Sequence, residues 1–311
     1  MLTLLYAGSP GLWPAYQAAL GAALAEAGIA ARLVRPGEAA PESVDYLIYA
    51  PNGPVQDFAS FTRARAVLSL WAGVERVVGN PTLTQPLCRM VDEGLARGMV
   101  EWVLGQVLRA HLGLDAHILN HTGRWEQIAP PLATERSVTV LGLGALGAAA
   151  ARALAGLGFR VTGWSRSPKA IEGVRCLAGA AGLAEALAAG EIVVTILPNT
   201  PETANILNAE TLAMLPRGAV VLNPGRGTLI DDEALLAALE SGQVAQATLD
   251  VFRTEPLPPG HPYWAHPRVT VSPHIAAETR PASAARVIVE NIRRGEAGEP
   301  FLYRVDPARG Y

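Results

Sequence analysis

Lysine is almost missing from this 311-residue chain: Lys and Arg together number 25, and Lys169 is the single lysine. Schiff-base chemistry and a Walker-type phosphate loop are therefore excluded everywhere but at that position. Cysteine is nearly as scarce. Cys88 and Cys176 cannot build a disulfide framework, and no Cys/His cluster has structural-zinc spacing. Two packed thiols in a reducing cytoplasm are the expectation. Charge is sparse too, at 17% of residues, and balances to a net −3. That leaves no basic face for a nucleic acid or an anionic membrane surface. No apolar run reaches membrane length either: the longest, 138–151, has 14 residues, against the roughly 18 that a span needs. The first arginine is Arg32, so no basic region opens the chain, and 2–7 reads as a strand rather than a leader.

Half the residues are hydrophobic, enough to bury a large core, and the length suits about two domains. Short apolar runs alternate with helical patterns, the signature of βαβ units and doubly wound parallel sheets of the α/β class. Strands are expected at 2–7, 31–34, 46–50 and 66–70, with a helix over 14–27. A long helix over 94–120 reads as a connection between domains. The stretch 123–136, with Trp125, Pro130 and Pro131, reads as a linker or a hairpin. The alternation then restarts, with strands at 138–141, 159–164, 192–197, 219–223, 244–250 and 269–271 and helices at 145–157, 209–215, 231–241 and 279–294. Asp231 is the expected N-cap of the third of these helices, and Gly242 its stop.

The strand at 138–141 runs directly into Gly142-Leu143-Gly144-Ala145-Leu146-Gly147, and a helix follows. Gly142 permits the tight turn, Gly144 lets a pyrophosphate approach the backbone, and Gly147 lets helix and strand pack closely. The helix N-terminus adds free N–H groups and a positive dipole end. This context predicts dinucleotide binding; a glycine-rich packing turn is the plainer alternative. An NAD site usually carries an acidic residue about 20 positions further on, for the ribose 2′-hydroxyl. Here position 165 is serine, and no Asp or Glu occurs between Gly142 and Lys169. Ser165, Arg166, Ser167 and Lys169 stand there instead. Two cations and two hydroxyls suit a 2′-phosphate, so NADPH is expected over NADH, an idle solvated loop being the alternative.

Three reactive side chains each follow an expected strand: Arg226, Glu255 and His274. Ligands of open α/β sheets bind beyond the carboxyl ends of the strands, so the three are candidates for one site, although each taken singly is more often a surface or structural group. Of the remaining histidines, His117 and His121 are four apart on the expected long helix but lack the Glu of a zinc motif. They read as a polar helix face, with His111 off it, and no metal is expected. His261 and His266 read as loop residues, and Tyr263 and Trp264 either line a cleft or anchor a loop.

The blocks 141–147, Leu197-Pro198-Asn199-Thr200-Pro201-Glu202-Thr203, Asn223-Pro224-Gly225-Arg226-Gly227, 249–257 and Ser272-Pro273-His274-Ile275-Ala276-Ala277, in this order and spacing, resemble the D-isomer-specific 2-hydroxyacid dehydrogenase family. Trp164-Ser165-Arg166, His266-Pro267-Arg268-Val269-Thr270, Thr279-Arg280-Pro281 and the tail from Val305 to Tyr311 are similar to its glyoxylate/hydroxypyruvate reductase A type. The resemblance implies two Rossmann-like or flavodoxin-like domains with a cleft between them. Residues 1–97 with 283–311 would form the substrate domain and 98–282 the dinucleotide domain, in a homodimer.

The resemblance also implies reduction of small 2-keto acids, glyoxylate to glycolate and hydroxypyruvate to glycerate, with NADPH preferred and NAD possible. Arg226 would grip the carboxylate and keto oxygen, His274 would donate the proton, and Glu255 would orient the His274 ring. Ala72 and Gly73 would share the substrate carboxylate. Ala145, Leu146, Leu197, Pro198, Thr200, Asn223, Pro224, Gly225, Asp250, His274 and Ala276 would join the glycines and the 165–169 loop around the cofactor, Asp250 at the nicotinamide end. Pro224 departs from the family's block by deleting an N–H, and Trp71 is a bulky occupant of the turn before Ala72. A dehydrogenase with a bulkier substrate, or a dinucleotide-sensing module without catalysis, are the alternative readings.

Overall fold

The computed structural model describes residues 1–118 and 123–307. The chain divides into two compact units, Met1–Leu95 with Glu278–Tyr311, and Ala96–Ala277; the sequence reading had put the divisions at 97/98 and 282/283.

The first unit begins with β1 (Leu2–Ala7), α1 (Trp13–Glu26), β2 (Ala31–Val34), β3 (Tyr46–Tyr49), β4 (Ala66–Ser69) and the two-residue β5 (Leu87–Cys88). All five strands are parallel, in the order β2-β1-β3-β4-β5, the flavodoxin-like winding. Every residue of β3 and β4 is buried. That is why these strands read as unbroken apolar runs and not as alternations. The period-2 geometry sends Leu4, Tyr46, Ile48 and Leu68 to one face and Leu5, Leu47, Tyr49 and Val67 to the other. On the first face they meet Tyr16, Leu20 and Leu24, spaced four apart in one stripe of α1.

The next helix, α2 (Glu93–His111), is capped by buried Asp92, whose carboxylate accepts from the amides of Gly94 at 3.1 Å and Leu95 at 3.3 Å. The expected 94–120 helix is shorter than the sequence suggested. It stops at His111, Gly113 takes φ +63°, and a separate one-turn α3 (Leu114–Ile118) follows. A left-handed glycine ends a helix at little steric cost. Asn120 and His121 lie outside the described residues, as does the tail from Ala308. Residues 123–132 contain no helix or strand, so of the linker and hairpin readings only the linker stands.

The second unit continues with β6 (Ser137–Leu141), α4 (Ala145–Gly156), β7 (Arg160–Ser165), β8 (Val174–Ala178), α5 (Gly179–Ala188), β9 (Ile192–Thr195), α6 (Ala209–Ala213), β10 (Ala219–Asn223), α7 (Asp232–Glu240), β11 (Val244–Leu249), the short α8 (Pro262–Ala265) and β12 (Val269–Val271). Its seven strands are parallel, in the order β12-β11-β10-β9-β6-β7-β8. Sequence reading missed β5, β8, α5 and α8. The strands β5 and β8 lie at sheet edges, and β8 is only half buried, so it lacks the apolar run of its neighbours. Asp231 caps α7 as expected, accepting from the amide of Ala234 at 3.1 Å. The chain ends in the first unit with α9 (Pro281–Ala297), which starts at Pro281 and stops at Gly298 with φ +69°. Its Ala284, Ala285, Ile288, Val289 and Ile292 complete the layer that α1 begins. No helix among the described residues is long and apolar enough to cross a membrane.

The contact of β6 with α4 is unusually close. Gly142 has φ +106°, and a Cβ at Gly147 would stand 1.8 Å from the Gly142 carbonyl oxygen. Gly147→Ala is therefore expected to cost at least about 2 kcal/mol, a fall in Tm of roughly 4–8 °C. A Cβ at Gly144 meets nothing within 4 Å, so Gly144→Ala should melt within about 1 kcal/mol of the parent. Thermal unfolding followed by circular dichroism compares the two.

Candidate active site

In the seven-stranded sheet, winding reverses between β6 and β9, and the glycine turn Gly142–Gly147 leaves β6 at that point. Gly144 and Ala145 are exposed there and Leu146 half-buried, while Gly147 is buried. The N-cap of α4 is Gly144, with no side-chain cap, so the first-turn amides stay available to an anion. A Cβ at Gly144 would meet nothing within 4 Å, so the space beside these amides is open. Next to it, β7 ends at Ser165, whose hydroxyl donates to the Ser167 carbonyl at 2.8 Å. Arg166, Ser167 and Lys169 are exposed beyond it. On the other side of the switch, the loop after β9 carries buried Leu197 and half-buried Pro198 and Thr200. Thr203 sets its shape, accepting from the Thr200 amide at 2.9 Å and donating to the Pro198 carbonyl at 2.6 Å.

Arg226 follows β10 through a turn built on buried Asn223. The side-chain oxygen of Asn223 accepts from the Thr195 hydroxyl at 2.7 Å and the Gly225 amide at 3.1 Å, and its Nδ2 donates to the Arg226 carbonyl at 2.9 Å. Pro224 sits between these donors and costs the turn none of them. A Cβ on Gly225 would come within 2.7 Å of the Thr195 carbonyl oxygen. Arg226 itself donates Nη1 to the Gly225 carbonyl at 2.7 Å. Asn223 was read as a cofactor contact, yet here its amide shapes the turn. Thr195 was not singled out at all, and nothing in its sequence surroundings marks it.

His274 and Glu255 come together across nineteen positions of sequence, with Nδ1 2.8 Å from Oε2. The other oxygen of Glu255, Oε1, accepts from the Phe252 amide at 2.9 Å, so the carboxylate is fixed at both ends. The His274 ring is half exposed, and its Nε2 has no partner among the described residues. His274 has φ +54°, uncommon for a side chain other than glycine. Asp250 holds that conformation. Its carbonyl accepts from the His274 amide at 2.8 Å. Its carboxylate accepts from the Ser272 hydroxyl at 2.6 Å, the Ile275 amide at 3.0 Å and the Ala276 amide at 2.8 Å. Asp250 has no exposed surface. Sequence reading put it at the nicotinamide, but what its carboxylate touches here is the protein's own backbone and Ser272.

In the first unit, the turn after β4 carries Trp71, Ala72 and Gly73. Ser69 accepts from the Trp71 amide at 3.1 Å, and the Trp71 carbonyl accepts from the Met90 amide at 3.0 Å. The amides of Ala72 and Gly73 have no acceptor among the described residues. Away from these groups, His111 is buried edge-on to Phe159, its pKa held down by burial and then by the Arg136 charge. It is a core histidine and not part of a polar face. No group of three or more metal-ligating side chains occurs among the described residues.

A doubly wound sheet with a glycine turn at its switch point is a dinucleotide-binding domain, and a hydrogen-bonded histidine–carboxylate pair stands beyond two of its strands. Residues 104–276 match the model of the D-isomer specific 2-hydroxyacid dehydrogenase NAD-binding domain. The chain belongs to the D-isomer specific 2-hydroxyacid dehydrogenase family. It is 42% identical to glyoxylate/hydroxypyruvate reductase A of Serratia proteamaculans over 289 residues, which is 90% of this chain and 91% of that one. A D-isomer specific 2-hydroxyacid dehydrogenase of Xanthobacter autotrophicus Py2, solved in complex with NADPH and MES, shares 46% identity over 99% of both chains, with a TM-score of 0.93. The NADPH-dependent glyoxylate/hydroxypyruvate reductase of Sinorhizobium meliloti, solved with NADP and sulfate, shares 34% over the full length of both, with a TM-score of 0.87.

Asp250→Asn keeps one acceptor oxygen for Ser272 and Ile275 but turns a donor nitrogen toward the Ala276 amide, which then loses its acceptor. It should cost about 1–3 kcal/mol through the unpaired amide, read as a lower midpoint in urea.

Proposed function

We propose that this protein reduces small 2-keto acids, glyoxylate to glycolate and hydroxypyruvate to glycerate, using NADPH. The observation that carries the reading is the 2.8 Å pairing of His274 with Glu255, beyond β12 and β11, the second of which pairs with β10, the strand that leads to Arg226. Bound NADPH supplies a hydride to the keto carbon. Arg226 grips the carboxylate and keto oxygen, a two-point contact that suits a planar guanidinium. As charge builds on the keto oxygen, His274 gives it a proton from Nε2. Glu255 keeps the ring oriented through Nδ1 and stabilises the imidazolium form. In the first unit, the Ala72 and Gly73 amides offer two donors of the kind a carboxylate takes. The names of the relatives support the substrate class.

The cofactor choice rests on chemistry beyond β7. Arg166 and Lys169 are exposed with Ser165 and Ser167 beside them, and no carboxylate precedes them to favour a bare 2′-hydroxyl. The solved neighbours with NADPH or NADP support the same choice. The Gly142, Gly144, Ala145, Leu146 and Gly147 turn takes the pyrophosphate. The segments at Leu197, Pro198 and Thr200, at Asn223, Pro224 and Gly225, and at Ala276 line the way to the nicotinamide. Asp250, placed by this reading at the nicotinamide end, also holds His274 and Ala276.

We also infer a homodimer. Trp125, Ile128 and Leu132 are 92%, 74% and 70% exposed in one short segment of the second unit, an apolar strip that a second copy would cover. The cysteines are unbridged, which suits a cytoplasmic enzyme.

With NADPH and a panel of keto acids, loss of reduced-nicotinamide absorbance should be fastest with glyoxylate and hydroxypyruvate. Turnover of bulky keto acids alone would move the substrate class, and cofactor binding without turnover would make the protein a sensor. His274→Ala should lose roughly 10²–10⁴ in kcat with NADPH affinity kept, and Arg226→Lys should lose saturation by substrate. Replacing Arg166 and Lys169 by Ala should cut the preference for NADPH over NADH by roughly 10–100-fold, the worth of charged hydrogen bonds to a phosphate. Light scattering should give twice the chain mass, falling to one chain when Trp125 and Ile128 are both changed to Ser. An unchanged mass would remove this strip from the interface.

A further inference from the structure

We propose that Asp232, Arg253 and Tyr263 form a positioning cluster that holds Glu255 against His274, a proposal that rests on reading those two as the acid–base pair. Between β11 and α8, residues 251–261 contain no helix or strand. A loop of this length wanders unless something ties it, and Glu255 stands in its middle.

The ties converge on one carboxylate, at the first residue of α7. Asp232 Oδ1 accepts from the Tyr263 hydroxyl at 2.9 Å. Its Oδ2 is 3.6 Å from Arg253 Nε and 4.0 Å from His261 Nε2. Arg253, two residues before Glu255, also donates Nη2 to the Asn205 side chain and the Ile230 carbonyl. It thus joins the loop to three separate points outside it. Tyr263 is buried, with its ring 6.4 Å from that of Phe252, and the Phe252 amide is the donor that fixes Glu255 Oε1. Burial and then the Asp232 charge push the Tyr263 hydroxyl above its ordinary range, so it remains a donor at working pH. The start of α7 also favours a carboxylate at Asp232. Contacts therefore run from Asp232 through Tyr263 and Phe252 to Glu255 and on to His274, while Arg253 ties the loop to the same carboxylate two residues before Glu255. A cluster that served only to tie the loop down would be tuned to stability; this one ends on the group that orients the proton donor.

The test is a double-mutant cycle on the full-length protein with glyoxylate and NADPH. Arg253→Gln is expected to lower kcat roughly tenfold, within the range of coupled neighbours, with both KM values within about twofold. In a Glu255→Gln background, Arg253→Gln should cost almost nothing more. Tyr263→Phe removes a single oxygen and should follow the same pattern if Arg253→Gln fails to fold. Equal losses in the two backgrounds, or a lower Tm with kcat unchanged, overturn the proposal. If Glu255→Gln by itself leaves kcat intact, the acid–base reading fails first and takes this proposal with it.

Discussion

Where β11 gives way to loop, a carboxylate without exposed surface gathers three donors from the segment after β12. Everything that follows at the site depends on that arrangement at Asp250. A histidine with φ +54° is a strained residue, at a cost of about 1–3 kcal/mol. The strain persists because the His274 amide is bound to the Asp250 carbonyl while the two amides after it are bound to the Asp250 side chain. Without those bonds the backbone would relax, and the imidazole would leave Glu255. A buried anion with all its donors supplied is held far more firmly than a surface pair, since an unpaired amide inside the protein is costly.

The parallel sheet adds a second constraint. Strands that all run one way put all their carboxyl ends on one edge, and the loops leaving β6, β7, β9, β10, β11 and β12 share it. Each loop is then shaped by a local device and not by sheet pairing. The glycine turn depends on the absence of Cβ atoms, the β9 loop on Thr203, the β10 turn on Asn223, and the β11 loop on Glu255 with the groups around Asp232. Arg226 and His274, the side chains proposed for substrate, project from turns whose backbone is fixed by other residues. Rigidity and chemistry are thus carried by different side chains.

Much of this was readable in advance. Buried parallel strands are unbroken apolar runs, so β1, β3, β4, β6, β9 and β10 could be located from hydrophobicity, to within a residue or two at their ends. The glycine turn is legible because each glycine answers a steric demand that no other residue meets. What stayed hidden has a common character. The end of α2 at His111 depends on one glycine, Gly113, adopting a positive φ, which composition does not announce. The edge strand β8 and the Ala-rich α5 lack a clear apolar period. Tyr263 could be read as lining a cleft or as anchoring a loop, and only its bond to Asp232 separates the two. Asp250 was visible as an acid within a recognisable block, but its burial was not.

By itself the sequence determined the class of fold, the dinucleotide turn, the cations and hydroxyls beyond β7, and which side chains are chemically able to grip a keto acid and move a proton. These depend on residue type and short-range order, which a linear pattern preserves. The tertiary structure decided that Glu255 meets His274, that Asp250 turns inward to hold backbone, and that Asn223 builds the Arg226 turn. Those are contacts between residues brought from different strands, and they exist only once parallel pairing has set the strands in an order that is not the order of the chain.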